Sequence, residues 1–408
     1  MSGGGFCYCV GMSKEKLNAV ISIVSNSPGT PTGYGVQVAY LLEGLRRHGA
    51  RVAVLSNFGT EGSIGKYQTK SGSVDIYPKG LQGYSEDVIQ VWHDHHRAKY
   101  PELPHFIMTV YDVWVYVKAE LSSPVISYVP LDHVTIPPLV KKFLQRDNVQ
   151  CVAMAPHGQR QLALNKIDAP YIPHSVDTKV FQRREKMRGV PTREFMGIDP
   201  DTFLVGMVMA NKANGILHRK AYAEQMLAFG IFHKEHPKSH LYVHADYLPV
   251  VQGFHLEHLR EACGIPKTAV TFANRDALRV GYSDEEMAAL YSAMDVLLMA
   301  TMGEGFGVPV IEAQACGTRV IASDWAATQD LVSEDGWLIE GQPFWDEALK
   351  SFYQLPLLGS LVSALEKAYE APRGFSVASR GFALQFDFET VWEASWLPFF
   401  RELIAQSD

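Results

Sequence analysis

The segment Val296-Leu-Leu-Met299 and the run that follows it, Thr301-Met-Gly-Glu-Gly-Phe-Gly-Val-Pro-Val-Ile-Glu-Ala-Gln-Ala-Cys-Gly-Thr318, read as strand, glycine loop and helix. Pro309 suits a first helical turn, where its missing N–H costs nothing, and Gly317 suits the position just past a helix end. The helix is therefore expected over Pro309–Cys316, with Glu312 in its first turn. Glycines let the loop backbone come close to a ligand, and free N–H groups at a helix start favour an anion such as a diphosphate. Glu304 precedes the Gly-Phe-Gly turn and Glu312 follows it. Carboxylates on either side of such a loop can accept hydrogen bonds from two points of one elongated ligand, a role that sugar and ribose hydroxyls fit.

The same alternation extends outward. Thr202–Met209 reads as a strand, Ala221–His236 as a helix, His240–His244 and Val270–Phe272 as strands, and Ser283–Met294 as a helix. Nearer the start, Ala19-Val-Ile-Ser-Ile-Val24 is a β-branched run, Ser25–Gly35 a loop, Val36–His48 a helix ended by Gly49, and Arg51–Ser56 a second strand, which makes a parallel βαβ unit. Further strands are expected at Val88–Trp92, Phe106–Val110, Val125–Val129 and Gln150–Ala155, so both halves read as doubly wound α/β domains. The resulting division is an extension over 1–16, a first domain over 17–180, a linker over 181–201, a second domain over 202–380, and a C-terminal helix over 381–408 that crosses back to the first domain. The stripe of Trp392, Trp396, Phe399 and Phe400 on that helix is read as core packing.

The 408 residues exceed the roughly 100 to 200 of one ordinary domain. An apolar fraction of 47% with 20% charged residues excludes disordered and fibrous chains. A net charge of -7 argues against a stable nucleic-acid partner, and no segment has the ~18 apolar residues of a membrane span. Arg183, Arg184, Lys186, Arg188 and Arg193 form a local basic cluster, read as the solvated face of a linker, with contact to an anionic acceptor or membrane surface as the alternative. Five cysteines, Cys7, Cys9, Cys151, Cys263 and Cys316, lack a disulfide framework or zinc spacing. With no secretory signal pattern over Met1–Val10, they suit a cytoplasmic protein.

Glu304-Gly-Phe-Gly-Val-Pro-Val-Ile-Glu312, continued by Ala-Gln-Ala-Cys-Gly-Thr318, resembles the donor-site signature of retaining glycosyltransferase family four. Gly33-Tyr34-Gly35, Tyr171-Ile-Pro-His-Ser-Val-Asp-Thr178 and Arg219-Lys220 stand in that family's order. The resemblance implies a GT-B fold, two doubly wound Rossmann-like domains facing a cleft. It implies an enzyme that moves a hexose from a UDP-, GDP- or ADP-sugar to an acceptor hydroxyl with retention of configuration, and no cofactor or metal beyond that donor. Glu304 would hold the donor sugar, Phe306 and Gly307 would offer backbone N–H groups, and Glu312 would hold the ribose. Gly33 and Gly35 would send N–H groups toward the phosphates, and Arg219 and Lys220, expected to open the helix at Ala221, would stabilise the leaving diphosphate. Where the family has a further Arg, this chain has Asn211-Lys212; both are donor-binding candidates, with Lys212 the substitute for that Arg.

On the acceptor side the family's usual His is missing, and Met108-Thr-Val-Tyr-Asp-Val-Trp114 offers Tyr111 and Asp112 instead. Asp112, and Asp132 with His133, follow expected strands, where ligands bind in open α/β sheets, so Asp112 and His133 are the acceptor-site candidates. The acceptor class stays open among small molecules, proteins, lipids and DNA. His93, His95 and His96 are not read as metal ligands, because on a strand His93 and His95 share no helical ligand spacing. A non-catalytic nucleotide-sugar binding module and a sugar phosphorylase or epimerase of the same fold remain the alternatives.

Overall fold

The computed structural model describes residues 16–213, 217–249 and 252–407. Residues 1–15, with Cys7, Cys9 and nearly all of the expected extension, lie outside the described residues. The first half alternates β1 (Val20–Asn26), α1 (Gly33–Arg47), β2 (Arg51–Phe58), β3 (Gly65–Thr69), β4 (Gly72–Tyr77), α2 (Ile89–Arg97), β5 (His105–Val110), β6 (Val125–Val129), α3 (Pro138–Leu144), β7 (Val149–Ala153) and α4 (Pro156–Leu164). Its sheet runs β3-β4-β2-β1-β5-β6-β7, parallel except for the β3–β4 edge hairpin. Every residue of β1 is buried, as a central parallel strand covered on both faces requires. Its two serines are satisfied, Ser25 Oγ donating to the Val110 carbonyl at 2.8 Å and Ser22 Oγ lying 2.8 Å from His93 Nδ1, whereas the buried Asn26 Oδ1 has no hydrogen-bond partner among the described residues. Thr32 caps α1 by accepting from the Gly35 N–H, and Gly49 ends it at φ +88°.

One element differs in kind from its sequence reading. Val88–Trp92 does not form a strand; Ile89–Arg97 is helix α2, whose inward face is Ile89, His93 and His96 at i, i+4 and i+7. Histidines supply part of the buried face, so the apolar pattern alone looks too short for a helix. His93 Nδ1 lies 2.8 Å and His96 Nδ1 3.1 Å from Ser22 Oγ, and His93 Nε2 lies 3.0 Å from His105 Nδ1. The strand argument against a metal there therefore falls away; these ring nitrogens are joined to each other and to Ser22 in a buried hydrogen-bonded chain. Among the described residues no group of three or more His, Cys, Asp or Glu could hold a metal ion.

After a short hairpin, β8 (Lys186–Met187) and β9 (Val190–Pro191), and α5 (Thr192–Phe195), the second series runs β10 (Phe203–Val208), α6 (Tyr222–Glu235), β11 (Ser239–His244), α7 (Leu256–Ala262), β12 (Val270–Phe272), α8 (Arg275–Val280), α9 (Asp284–Ala293), β13 (Val296–Met299), α10 (Val308–Ala315), β14 (Arg319–Ser323) and β15 (Trp337–Ile339). These strands form a second, fully parallel sheet in the order β12-β11-β10-β13-β14-β15. Ser283 and Glu286 make a reciprocal capping box on α9. The basic cluster before β10 is not a free cationic face: Arg188 pairs with Glu286 at 2.7 Å, Arg193 with Asp295 at 2.8 Å, and Arg184 donates to the Val180 carbonyl.

A hairpin of β16 (Gly341–Asp346) and β17 (Ser351–Pro356) follows and reaches the first half, where Phe352 and Val134 exchange backbone hydrogen bonds at 3.0 Å. Then come α11 (Leu358–Glu370), α12 (Val377–Ala383), α13 (Phe388–Val391), a π-helical turn over Trp392–Trp396 and α14 (Leu397–Ala405). The expected single helix over 386–405 is thus interrupted. Pro398 has no N–H for the Ala394 carbonyl, and the wider turn sits where that bond is missing. Trp392, fully buried, lies against α1, where a Cβ on Gly44 would be 2.2 Å from the indole. Arg47 and Glu389 pair across the same contact at 2.8 Å. Among the described residues no helix is long and apolar enough to cross a membrane.

Candidate functional site

The end of β13 turns into the glycine loop, and α10 starts at Val308 behind Gly307, which takes φ +102° as its cap. Glu312 is consequently the fifth residue of the helix rather than a first-turn residue. Gly303 and Gly305 allow close approach to the first half: a Cβ at Gly303 would be 2.3 Å from the Asp132 carbonyl oxygen, and one at Gly305 would be 2.3 Å from Pro130 Cβ. The loop after β6 therefore forms one wall of the cleft and the glycine loop the other.

Arg219 and Lys220 do not belong to α6; they occupy the turn before it, and Ala221 is left-handed at φ +49°. Buried Gln225 holds that turn in place by donating to the Lys220 carbonyl at 2.7 Å and accepting from the Ala300 N–H at 2.9 Å. The two cations converge on Glu304, Lys220 Nζ at 2.5 Å and Arg219 Nη1 at 3.3 Å. Arg219 also donates to the Gly303 carbonyl and lies 3.7 Å from Asp132. Burial would raise the Glu304 pKa, but Lys220 and Arg219 outweigh it and hold the carboxyl below its ordinary value. Lys220, buried and beside Arg219, is pushed down to about 8 despite Glu304.

Across the cleft, Asp132 and His133 join a charge network. His133, 2% exposed, has Nδ1 2.6 Å from Asp132 and Nε2 3.5 Å from Asp346 on β16. Burial opposes its protonation, yet the two carboxylates raise its pKa to about 9. Although burial works against it, His133 and Arg219 hold the Asp132 carboxyl well below the usual range. With both ring nitrogens facing carboxylates, His133 has none to offer an acceptor hydroxyl, which corrects the expectation placed on it. Tyr353 on β17 packs on the His133 ring at 3.8 Å and points its hydroxyl at Asp132, 3.4 Å away. Asp112 accepts from the Tyr34 hydroxyl at 2.9 Å; burial and the Asp132 charge raise its pKa, while Arg219 and Lys212 oppose the rise, so it faces the same cleft. Lys212 sits among these groups, its pKa lowered by desolvation and by Arg219.

Other candidates are placed differently. Asn211 Nδ2 donates to the carbonyls of Asp246 and Phe254, and its Oδ1 lies 3.1 Å from His218 Nε2 and accepts from the Phe254 N–H, so its amide braces a loop. Gly33 and Gly35 lie in the first turn of α1 rather than in the loop, and the Gly35 N–H is taken by Thr32. The Phe306 ring is buried between His174 and Phe386, which leaves its backbone on the glycine loop. Glu312 accepts from Tyr291 at 2.8 Å, and burial, with Asp284 adding, pushes its pKa up to about 7. The Tyr171–Thr178 stretch is a fastening: Gln37 exchanges two hydrogen bonds with the Ser175 backbone, and neutral His174 packs against Tyr128.

The residues missed by sequence reasoning, Tyr34, Tyr291, Asp346 and Tyr353, each act through a contact made far along the chain. The one available signal was the alternation around Ser351-Phe-Tyr-Gln354, which marks a strand with Tyr353 on its inner face.

Residues 248–351 match the family described as "Glycosyl transferases group 1". A D-inositol 3-phosphate glycosyltransferase of Paenarthrobacter aurescens is 27% identical over 195 residues, 47% of this chain and 44% of that protein. An MMP alpha-(1->4)-mannosyltransferase of Mycolicibacterium hassiacum is 43% identical over 56 residues, 14% of each. The chain thus spans less than half the length of these curated relatives. Among solved structures, sucrose-phosphate synthase from Thermosynechococcus elongatus superposes with a TM-score of 0.73 at 16% identity, over 95% of this chain and 100% of that one. A trehalose-6-phosphate protein from E. coli bound with UDP-2-fluoro glucose does so at 0.63 and 12% identity, over 94% and 98%. The two facing Rossmann-like domains are those of the GT-B fold.

Proposed function

We propose that the protein is a retaining glycosyltransferase of family four that moves a hexose from a nucleoside diphosphate sugar to an acceptor hydroxyl without a metal ion. The observation that carries this reading is the buried Glu304 carboxylate shared by Lys220 and Arg219 at the cleft end of β13. The family match over residues 248–351, which includes the glycine loop, supports it. In the free protein the cations neutralise Glu304. An arriving diphosphate takes over Arg219 and Lys220, with Lys212 as a third cation, and frees Glu304 to accept hydrogen bonds from the sugar hydroxyls. The Phe306 and Gly307 N–H groups and the start of α1 contribute further donors, and Glu312 takes the ribose hydroxyls.

In the transfer step the bond from the anomeric carbon to the diphosphate oxygen breaks and that oxygen keeps the electron pair, its charge stabilised by Arg219 and Lys220. The acceptor oxygen bonds to the same face of the carbon, and its proton passes to the departing diphosphate. Asp112 orients the acceptor from the first domain. The buried free thiols Cys151, Cys263 and Cys316 fit action in a reducing cytoplasm. The second reading, a non-catalytic nucleotide-sugar binding module, draws on the engagement of His133 by two carboxylates.

The test is a panel of UDP-, GDP- and ADP-sugars read by thermal shift and by release of free nucleoside diphosphate. One donor that stabilises the protein and is slowly hydrolysed, with chelator leaving the rate unchanged, is the expected result. Stabilisation without release, even with acceptors added, selects the binding module. No response to any donor overturns both readings.

A further inference from the structure

We infer that the acceptor is itself a saccharide, whose pyranose ring is received on an aromatic wall of Tyr84, Tyr111 and Trp114 beside Asp112. This rests on the transferase reading for its place in the reaction, but the wall is visible without it. Tyr84 lies 6.1 Å, centroid to centroid, from both Tyr111 and Trp114, and Tyr111 lies 4.8 Å from Tyr34, whose hydroxyl donates to Asp112. The cluster therefore runs unbroken from the loop between β4 and α2 to the carboxylate that faces Arg219 and Lys212.

Tyr111 and Trp114 rest on the first-domain core with part of each ring left open, and Tyr84 stands over them. Tyr84 is 37% exposed, and Tyr111 and Trp114 are half-buried. The loop that carries Tyr84 is tied down before any ligand arrives: Asp87 accepts from the N–H groups of Leu81 and Gln82, Gly80 donates to Ser85 Oγ, and Ser85 Oγ donates to the Ser56 carbonyl. A Cβ at Gly80 would be 2.4 Å from Asp87 Oδ1, so a larger residue there would displace the carboxylate that holds the turn. Such pre-organisation lowers the cost of ordering a contact surface. Aromatic faces with polar rims match the two chemistries of a pyranose, an apolar C–H face and an equatorial belt of hydroxyls. Asp112 at the inner end accepts from a hydroxyl. An alkyl chain laid along the same wall would strip water from that carboxylate and return no hydrogen bond.

The experiment is saturation-transfer difference NMR on the full chain with methyl α-glucopyranoside, methyl α-mannopyranoside and methyl α-galactopyranoside, and with hexan-1-ol as the alkyl control. At least one pyranoside should receive saturation on its ring C–H protons. Its Kd should rise about tenfold in Tyr84→Ala and in Trp114→Ala, whereas Tyr84→Phe, which keeps the ring, should stay near wild type. Glu304→Ala should leave the signal in place. Transfer to none of the pyranosides, equal affinity in both alanine variants, or preference for hexan-1-ol would overturn the inference. The donor panel separates the two readings: pyranoside binding without any donor response leaves the wall standing and removes the transferase, and donor hydrolysis without pyranoside binding does the reverse.

Discussion

If Glu312 must be ionised to accept from two ribose hydroxyls, and Lys220 protonated to meet the diphosphate, then kcat/KM for the donor should follow a narrow bell. That ratio reports ionisations of the free protein, where burial has brought the Glu312 pKa up to about 7 and that of Lys220 down to about 8. The fraction with both groups correctly charged peaks midway, at about 60% near pH 7.5, and falls to about 10% at pH 6 and again at pH 9, a loss of roughly sixfold on each side. The acid limb belongs to Glu312 and the alkaline limb to Lys220, because an acid must lose its proton to work here and a base must keep it. Initial rates at subsaturating donor across pH 5.5–9.5, with buffer ionic strength fixed, measure the profile. Glu312→Gln should lower kcat/KM at pH 7.5 and abolish the acid limb while leaving the alkaline one. A flat profile between pH 6 and 9, or an unchanged acid limb in Glu312→Gln, would refute the assignment of these two groups.

Glu304→Ala and Lys220→Ala should each reduce kcat by about 100- to 1,000-fold with the far-UV circular dichroism unchanged; wild-type rates in both would remove the site. Stability should decline as pH rises from the ordinary histidine value toward about 9, since His133 has a raised folded pKa and its contribution is complete only below the unfolded one. Urea midpoints for His133→Gln should lack that decline, and an identical slope in both proteins would refute the buried imidazolium. Gly305→Ala should cost about 1–3 kcal/mol by forcing the glycine loop off Pro130, read from the same urea curves, and a neutral effect would show that the two walls do not touch.

Much of the second domain was legible in the chain. The strand, glycine loop and helix at 296–316 follow from turn and cap chemistry acting within a few residues, as do the α9 capping box and the ends of α1. The basic pair and Glu304 could be singled out as residues, but their meeting could not be derived from spacing, because Lys220 lies 84 positions from Glu304. α2 escaped because buried histidines stood where apolar residues mark a face, and the hairpins β3–β4 and β16–β17 because β3 and β16 are short and largely solvent-facing and so carry weak patterns. Asn211 was misread because nothing local shows that its amide is needed by the backbone at 246 and 254.

Local periodicity and capping thus determined two wound α/β units and the glycine loop, since the interactions that set them span one turn or one pleat. Tertiary structure alone decided that His133 is clamped between carboxylates 214 residues apart on Asp132 and Asp346, and that Tyr34 meets Asp112. The His133–Asp346 contact depends on how the two independently wound domains dock, and the Tyr34–Asp112 contact on how α1 packs beside the end of β5 within the first. The pKa values that matter to function are likewise tertiary, because burial and charge neighbours such as Asp284 beside Glu312 and Arg219 beside Lys220, unlike helix caps, are brought together only by the folded domains.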